Sequence, residues 1–352
     1  MRLAAAGLLA ALVTGSTLAA QGADSTARRP AVEYEASVRL RPRFSTSSAD
    51  AEEPVRWEYE RLRLQGRIGV PDRAQARLQL DWESGEWSVD DAWVRLRVAP
   101  RAEVLVGQAK RPFTVLSMRS GSQVATVSRG ASLRGADPAD EQNLVNDFGF
   151  GDRAAGVQVI LRPQFAPPAL RVLAGLFPAE PFSAPGRMRG MQGAVRVETA
   201  LAPRVTAGAA WSARRSGDDR EDALPPGSAV GVDVEVGDDA PGPHLLAEVV
   251  AGSVEGVETA GRFRGAHVWM MYRTGVLGPL RLTLEPVVRW STADGVAPPG
   301  TIAGTLVTPG LNVYTGDPGR WNRVMVNLDL WNPGGPAGWE RSVKVQLQVG
   351  VG

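Results

Sequence analysis

The chain of 352 residues contains no cysteine, two histidines, 40 glycines and 26 prolines. Lysine and arginine together number 39 and aspartate and glutamate 38, and a net charge this close to zero argues against a nucleic-acid binding protein. The absence of cysteine excludes disulfide bonds and cysteine-ligated metal sites.

The N-terminus is typical of an exported protein. A single arginine precedes an apolar run from Leu3 to Val13, and small residues follow as far as Ala20. This pattern predicts a signal peptide over residues 1–22, cleaved near Ala20 to Ala23. No other stretch approaches the ~20 apolar residues of a transmembrane helix. Residues 23–352 are therefore expected to form one domain, which crosses a membrane without helices if it crosses one at all.

Polar and apolar residues alternate along most of the remaining chain. Over residues 73–83, for example, alanine, leucine and tryptophan alternate with arginine, glutamine and aspartate. Such alternation predicts strands with one apolar and one charged face. No window predicts a helix of any length, although part of residues 111–152 could hold a short one. The sixteen predicted strands cover residues 32–44, 57–70, 73–83, 89–99, 102–110, 152–162, 168–177, 188–201, 203–214, 228–236, 243–253, 262–273, 279–291, 303–315, 320–331 and 340–349.

The connections between these strands differ in length. Tight turns that contain proline follow strands 2, 4, 8 and 14, whereas longer connections follow strands 1, 5, 7, 9, 11, 13 and 15. Short turns at one end, long loops at the other and an even number of strands are the arrangement of outer-membrane barrels. The sequence therefore predicts an all-β, antiparallel up-and-down transmembrane β-barrel of about sixteen strands.

Aromatic residues gather at the strand ends, as in the two girdles of a membrane barrel. The alternative is a soluble exported β-sandwich or propeller with a tryptophan core, but the outward mid-strand positions are mostly alanine, valine and leucine. The predicted girdles comprise Phe44, Trp57, Trp82, Trp87, Trp211, Trp290, Trp331 and Trp339 at the long-loop end, and Tyr34, Tyr272, Tyr314 and Trp321 at the short-turn end.

Residues 111–152 have no strand pattern and form by far the longest connection. A loop of this length inside a tightly connected chain is usually functional. At about sixteen strands the interior of a barrel is too wide for side chains to fill, so it holds water. We expect this third external loop to fold into the lumen and narrow it.

One stretch of the chain is similar to a known family. Residues Asp90–Gly130, with Gly107-Gln108-x-Lys110-x-Pro112-Phe113 and a Ser/Thr-rich stretch ending at Ser128-Arg129, resemble the phosphate-selective porin O and P family of Gram-negative outer membranes. Gly310–Leu330 looks like that family's penultimate hairpin and Val343–Val349 like its closing strand. The resemblance implies a sixteen-stranded and usually trimeric porin.

The chain departs from that family in two places. The family's closing strand normally ends in an aromatic residue, whereas this chain ends Val349-Gly350-Val351-Gly352. The family's anion sites use lysines near the constriction, and here only Lys110 is in a matching position. Phosphate selectivity therefore does not follow directly from the resemblance.

Charged residues at the strand centres share one depth and predict a ring around the lumen. We expect a basic wall that faces acidic groups across the barrel, because separated charges focus the field in a narrow lumen. The alternative is that these charges pair with one another and only keep the lumen polar. The basic candidates are Arg39, Arg41, Arg61, Arg63, Arg77, Arg95, Arg97, Lys110 and Lys344. The acidic candidates are Glu198, Asp233, Glu235, Glu248 and Glu285 on the opposite wall and Asp137, Asp140, Glu141 and Asp147 on the loop.

Catalytic and metal-binding functions find little support. The two histidines, His244 and His267, are not near a G-x-S-x-G motif, and the acidic doublet Asp90-Asp91 is more typical of a solvated loop end than of a calcium site. We therefore expect neither an enzyme nor a cofactor.

The sequence predicts an outer-membrane porin for passive diffusion of small hydrophilic solutes, with a mild preference for anions such as phosphate. Its expected partners are membrane lipid, these solutes and, from the resemblance, two further copies of the chain. The alternatives are a structural or adhesive barrel whose lumen is plugged by the loop, and a soluble periplasmic β-protein.

Overall fold

The structure, a computed structural model, covers most of the region after the predicted signal peptide. The signal peptide, Trp321 and the loop residues Asp137, Asp140 and Glu141 lie outside the described residues, as does the side chain of Asp147. The described residues are 32–48, 55–83, 85–127, 144–163, 170–179, 190–216, 226–238, 240–255, 261–297, 300–315, 322–332 and 338–351.

Sixteen antiparallel strands form one closed barrel, which confirms the predicted fold class and strand number. Each strand pairs with its neighbours in sequence, and β1 closes the sheet by pairing with β16. The strands are β1 Glu33–Ser47, β2 Val55–Val70, β3 Ala74–Glu83, β4 Glu86–Ala99, β5 Ala102–Lys110, β6 Arg153–Leu161, β7 Arg171–Pro178, β8 Gly190–Ala202, β9 Val205–Ser216, β10 Gly227–Val236, β11 Gly242–Val254, β12 Gly261–Arg273, β13 Leu282–Ala297, β14 Gly300–Thr315, β15 Arg323–Asn332 and β16 Glu340–Val351.

The barrel is apolar outside and polar inside. The side chains of Tyr34, Leu176 and Val232 face outward and are 80%, 60% and 56% exposed, whereas Arg43 and Asn312 face inward and are buried. An apolar outer face suits hydrocarbon, where only a closed sheet satisfies every backbone N–H and C=O group. None of the helices among the described residues is long and apolar enough to span a membrane.

The turns after β2, β4 and β8 are short, as predicted, but other connections depart from the expected arrangement. Seven residues separate β14 from β15, as many as separate β1 from β2, so the tight turn expected after strand 14 is wrong. Asp72 and Arg204 adopt positive φ angles of 61° and 65° in the short turns after β2 and β8. At the opposite end, only residues 84–85 separate β3 from β4 and only residues 298–299 separate β13 from β14. The long connection expected after strand 13 is therefore wrong, because paired strand residues such as Thr292 and Thr305 extend that hairpin.

Most of the predicted aromatic girdle residues face outward, but two do not. Tyr314 and Trp331 are 4% and 3% exposed and belong to the inward-facing rows. The Tyr314 hydroxyl donates to Glu285 at 2.8 Å, and the Trp331 ring lies so close to Gly304 that a Cβ there would collide with it. The exposed girdle residues are Trp57, Trp87, Trp211, Trp290 and Trp339 at one end and Tyr34 and Tyr272 at the other.

A charge on the outer face tests this orientation. Val232 lies near the middle of β10, and Val236 is on the same outward row beside the short turn. We expect Val232→Arg to lower the free energy of unfolding in lipid vesicles by about 2–4 kcal/mol and the control Val236→Arg by about 0–1 kcal/mol, since the cost depends on depth. Urea titration measures both values, and equal losses would contradict the orientation.

Candidate pore lining

Hydrogen bonds join the two ends of the segment between β5 and β6. The backbone N–H of Arg111 donates to the carbonyl of Asp152 at 2.9 Å, and the Arg111 guanidinium donates to the carbonyls of Gly149 and Gly151, both at 2.8 Å. Burial lowers the pKa of Arg111 to about 10, opposed by the nearby carboxylate of Asp152, so the guanidinium stays charged at neutral pH.

Three short helical turns shape the described parts of this segment: α1 Val115–Met118, a 3₁₀ turn Gly121–Gln123 and α2 Leu144–Asp147. Thr114 caps α1, because its hydroxyl accepts from the Ser117 N–H and the Ser117 hydroxyl accepts from the Thr114 N–H, both at 3.2 Å. This reciprocal capping box satisfies the N–H groups of Thr114 and Ser117 within the segment itself.

Inward-facing polar side chains of β8–β15 hold the segment against the wall. Most of these bonds join a barrel side chain to a backbone group of the segment, so the barrel satisfies loop groups that secondary structure leaves unpaired. The bonds are Arg196 to the Phe113 carbonyl at 3.0 Å, the Leu116 N–H to Glu248 at 3.0 Å, Arg323 to the Val124 carbonyl at 2.9 Å, Asn312 to the Ala125 carbonyl at 2.8 Å, Arg289 to the Thr126 hydroxyl at 3.1 Å and the Val127 N–H to Asn327 at 2.5 Å.

Two apolar clusters reinforce these polar contacts. In the first, Phe113, Phe148 and Phe150 of the segment pack with inward side chains that include Trp331 and Phe263, whose ring stacks on Phe148 at 4.2 Å. The second cluster joins Leu116, Val124 and Ala125 to Leu246, Trp269 and Val287. The segment is therefore fixed to one side of the interior.

The opposite side, on β1 and β2, is lined by arginines. Cross-strand pairing sets Arg39 beside Arg63 and Arg41 beside Arg61. These four side chains enclose a gap of about 10 Å³, which we call the arginine gap. Here the barrel meets the segment, since Arg63 donates to the Ser120 hydroxyl at 3.2 Å.

A larger cavity of about 630 Å³ lies next to the arginine gap, toward the short turns. Arg39 lines both spaces, so they adjoin. Charged side chains of both signs line the larger cavity, which we call the inner cavity. Its lining includes Arg67, Arg77, Arg119, Arg273 and Arg323 together with Glu35, Glu235, Asp238 and Glu285.

Several predicted basic residues have carboxylate partners on their own wall. Arg61 and Arg63 pair with Asp81 at 3.4 and 2.6 Å, and Arg77 pairs with Asp91 at 3.1 Å. The basic wall therefore contains its own acids, a result that agrees with the alternative of local pairing. The remaining predicted pairs are Arg95 with Glu103 at 3.5 Å, Arg97 with Asp72 at 2.6 Å and Lys344 with Asp329 at 2.8 Å, while Lys110 donates to the carbonyls of Ser117 and Arg119.

The acidic residues across the barrel are also bonded. Arg196 pairs with Asp233 at 2.6 Å and with Glu198 at 2.8 Å, and Arg273 pairs with Glu285 at 2.7 Å. Glu235 pairs with Arg119 of the segment, and Glu248 accepts from Leu116. These acids therefore hold arginines and the segment in place, in addition to placing negative charge on this wall.

Sequence reasoning missed several residues of this interior. Arg196 and Arg289 lie on the inward rows of β8 and β13, where the period-2 pattern points to an inward orientation. The ion pairs made by Arg153, Asp81 and Asp91 were not predicted, because they depend on the register between strands. No short motif marks that register.

The comparisons with known proteins find the same architecture. No family profile matches the chain, and no curated protein sequence does, so the resemblance to the phosphate-selective family stays a prediction. Solved structures do match, and at 10–13% identity they show a shared fold alone.

Three of these structures are outer-membrane proteins or porins. The trimer form of OmpT from Vibrio cholerae has 10% identity and a TM-score of 0.59, covering 91% of this chain and 100% of that one. The outer membrane channel DcaP of Acinetobacter baumannii has 13% identity and a TM-score of 0.55, with coverage of 94% and 99%. An anion-selective porin from Comamonas acidovorans has 12% identity and a TM-score of 0.55, with coverage of 91% and 100%.

The Arg196 ion pair tests how the segment is held. We expect Arg196→Met to lower the free energy of unfolding by about 3–5 kcal/mol, because it leaves the buried Asp233 carboxylate unpaired and removes a donor to Phe113. Arg171→Met, which breaks the more exposed pair with Glu198, is the control and should cost about 0–1 kcal/mol. Urea unfolding of both variants gives the comparison, and similar losses would argue against an anchoring role for Arg196.

Proposed function

We propose that the chain is a porin of the bacterial outer membrane that lets small hydrophilic solutes diffuse passively and prefers anions. The apolar outer face and polar interior suit a water-filled passage through lipid. The observation that carries the anion preference is the arginine gap, where four guanidinium groups border a space adjoining the inner cavity.

Geometry favours the arginine side as the route. The segment covers the inward rows of β8–β15, where Trp269, Arg289 and Asn312 have no exposed surface. On the other side, Arg39 lines both the arginine gap and the inner cavity. An anion that enters the inner cavity meets the guanidinium groups beside it, whose planar donor forks match phosphate and carboxylate oxygens.

Local ion pairs make the proposed preference mild. Asp81 and Asp91 already neutralise part of the charge of Arg61, Arg63 and Arg77.

We also propose that the chain is exported to the outer membrane, that its long loop narrows the lumen and that three copies form a homotrimer. The trimer form of OmpT, which shares the fold, supports the last of these by analogy.

A barrel plugged by its own loop is the second candidate, and the many bonds between the segment and the wall favour it. Liposome swelling separates the two. A porin should give swelling rates that fall as the solute grows from a pentose to a disaccharide. Vesicles that do not swell in any of these solutes would identify a plug and contradict the proposal.

The arginine gap is tested by reversal potentials in planar bilayers under a KCl gradient. We expect Arg39→Glu combined with Arg41→Glu to lower the anion-to-cation permeability ratio at least about tenfold, since each substitution replaces a positive charge by a negative one. The matched control combines Arg262→Glu with Arg264→Glu, two exposed residues on the outer face of β12. If the control shifts the ratio as much, or if the wild-type protein prefers cations, the anion route is wrong.

A further inference from the structure

Two consecutive acidic residues of β4 both reach arginines in the interior. Asp90 pairs with Arg63 at 3.1 Å and with Arg153 at 3.0 Å. Asp91 pairs with Arg153 at 2.8 Å and with Arg77 at 3.1 Å. In a regular strand neighbouring side chains point to opposite faces, so one of the two carboxylates should have faced the outside.

A β-bulge resolves this conflict. Gln79 of β3 pairs with Asp91 and Leu80 pairs with Val89, so Asp90 has no partner on β3. An extra residue of this kind shifts the inward–outward alternation of its own strand by one residue. The residues on either side of it still face the same way as their partners on β3. Val89 accordingly stays outward and 46% exposed, while Asp90 joins Asp91 on the inside.

The neighbouring strand β5 is adapted to this bulge. The side-chain amide of Gln108 donates to the carbonyls of Val89 and Asp90, the latter at 3.1 Å. Gln108 belongs to the outward row, between Ala92 and Ala155, where most residues are apolar. A polar amide beside apolar neighbours is unfavourable unless it is bonded, and here it donates to two backbone carbonyls of the bulge.

Gly107 is adapted as well. Its φ angle is +121°, a conformation that favours glycine, and a Cβ at this position would collide with the Ala92 carbonyl of β4. Gly107 therefore allows β5 to lie close against β4 directly after the bulge, while Gln108 bonds to the bulge itself. This gives a physical reason for two residues that the sequence motif singled out.

We infer that Gly107 and Gln108 stabilise a bulge whose role is to turn Asp90 into the lumen. There the charge of Asp90 limits the anion preference of the arginines of β1–β3, which we call the arginine wall. The inference rests on the proposed porin function. Asp90 is a specificity-determining residue, and Gln108 is a positioning residue that acts through it.

The physical effect follows from the local charges. Arg63 borders the arginine gap and is bonded to both Asp81 and Asp90. Removing the Asp90 charge leaves Arg63 with Asp81 and Arg153 with Asp91, so the wall gains one net positive charge while its arginines keep a partner. In a partly screened lumen one such charge changes the permeability ratio by roughly threefold.

Two variants remove the charge in different ways. Asp90→Asn keeps the bulge, whereas deletion of Asp90 joins Val89 to Asp91 and makes the ladder regular with every face unchanged. Both should raise the anion-to-cation permeability ratio by about threefold. The matched control is Asp294→Asn, which removes one carboxylate from the outer face of β13, where it pairs with Arg264, and should leave the ratio unchanged.

Gln108 is tested by thermal unfolding. Gln108→Leu alone should lower the unfolding midpoint, because the carbonyls of the bulge lose their donor in an apolar surrounding. Gln108→Leu in the protein that lacks Asp90 should lower it much less, since the Asp90 carbonyl is then absent and the bulge that Gln108 bonds to has been removed. Equal losses in the two backgrounds would contradict the positioning role.

The outcomes separate this inference from the proposed function. If the wild-type protein forms no conducting pore, the porin proposal itself is wrong. If it conducts and the two Asp90 variants behave like Asp294→Asn, the inference alone is wrong. A deletion variant that cannot fold would also contradict it, because the bulge would then serve strand pairing and not charge.

Discussion

Closure of the sheet between β1 and β16 is the contact on which the rest of the structure depends. Leu40 pairs with Val349 and Phe44 with Val345, so the first and last strands complete a cylinder with apolar side chains outside. An open edge would leave a row of backbone N–H and C=O groups facing hydrocarbon, each at a cost of several kcal/mol. Closure removes that cost and forces the alternate side chains into a shared interior.

The interior that results is too wide to be filled by the strands alone. The described parts of the segment after β5 pack against one side of it through Phe113, Phe148 and the bonds made by Arg196 and Asn312. The other half keeps the arginines of β1 and β2. The asymmetry of the lumen thus follows from where the segment packs, and the proposed solute route follows from the asymmetry.

Much of the fold could be predicted from the sequence, because strand alternation is a local property. All sixteen strands were found this way, most to within three residues at either end. The strands of the β13–β14 hairpin were predicted too short at the end where they join. The outward positions there are occupied by the polar residues Thr292 and Thr305, which interrupt the alternation of polar and apolar residues. Tyr314 and Trp331 were assigned to the girdles because position along a strand does not tell which face a residue occupies.

The candidate site was less predictable, because ion pairs depend on register between strands. The arginines of β1–β3 and Asp81 were placed on the charged face of their strands, but the ion pairs of Asp81 and the inward position of Asp90 were not predicted. A bulge has no strong sequence signal, and without it Asp90 could not have been placed inside. The pairing of Arg196 with Asp233 likewise joins strands two positions apart in the sheet.

The central claim is that the arginine wall lines a lumen that water and anions reach. Because the chain has no cysteine, single cysteines can report this directly. Gln65 lines the inner cavity, and its neighbour Leu64 lies on the outward row of β2.

In lipid vesicles, Gln65→Cys should react with small hydrophilic thiol reagents, faster with an anionic reagent than with a cationic one of equal size, and Leu64→Cys should react with neither. Equal labelling at both positions, or a cationic preference at Gln65→Cys, would contradict the account.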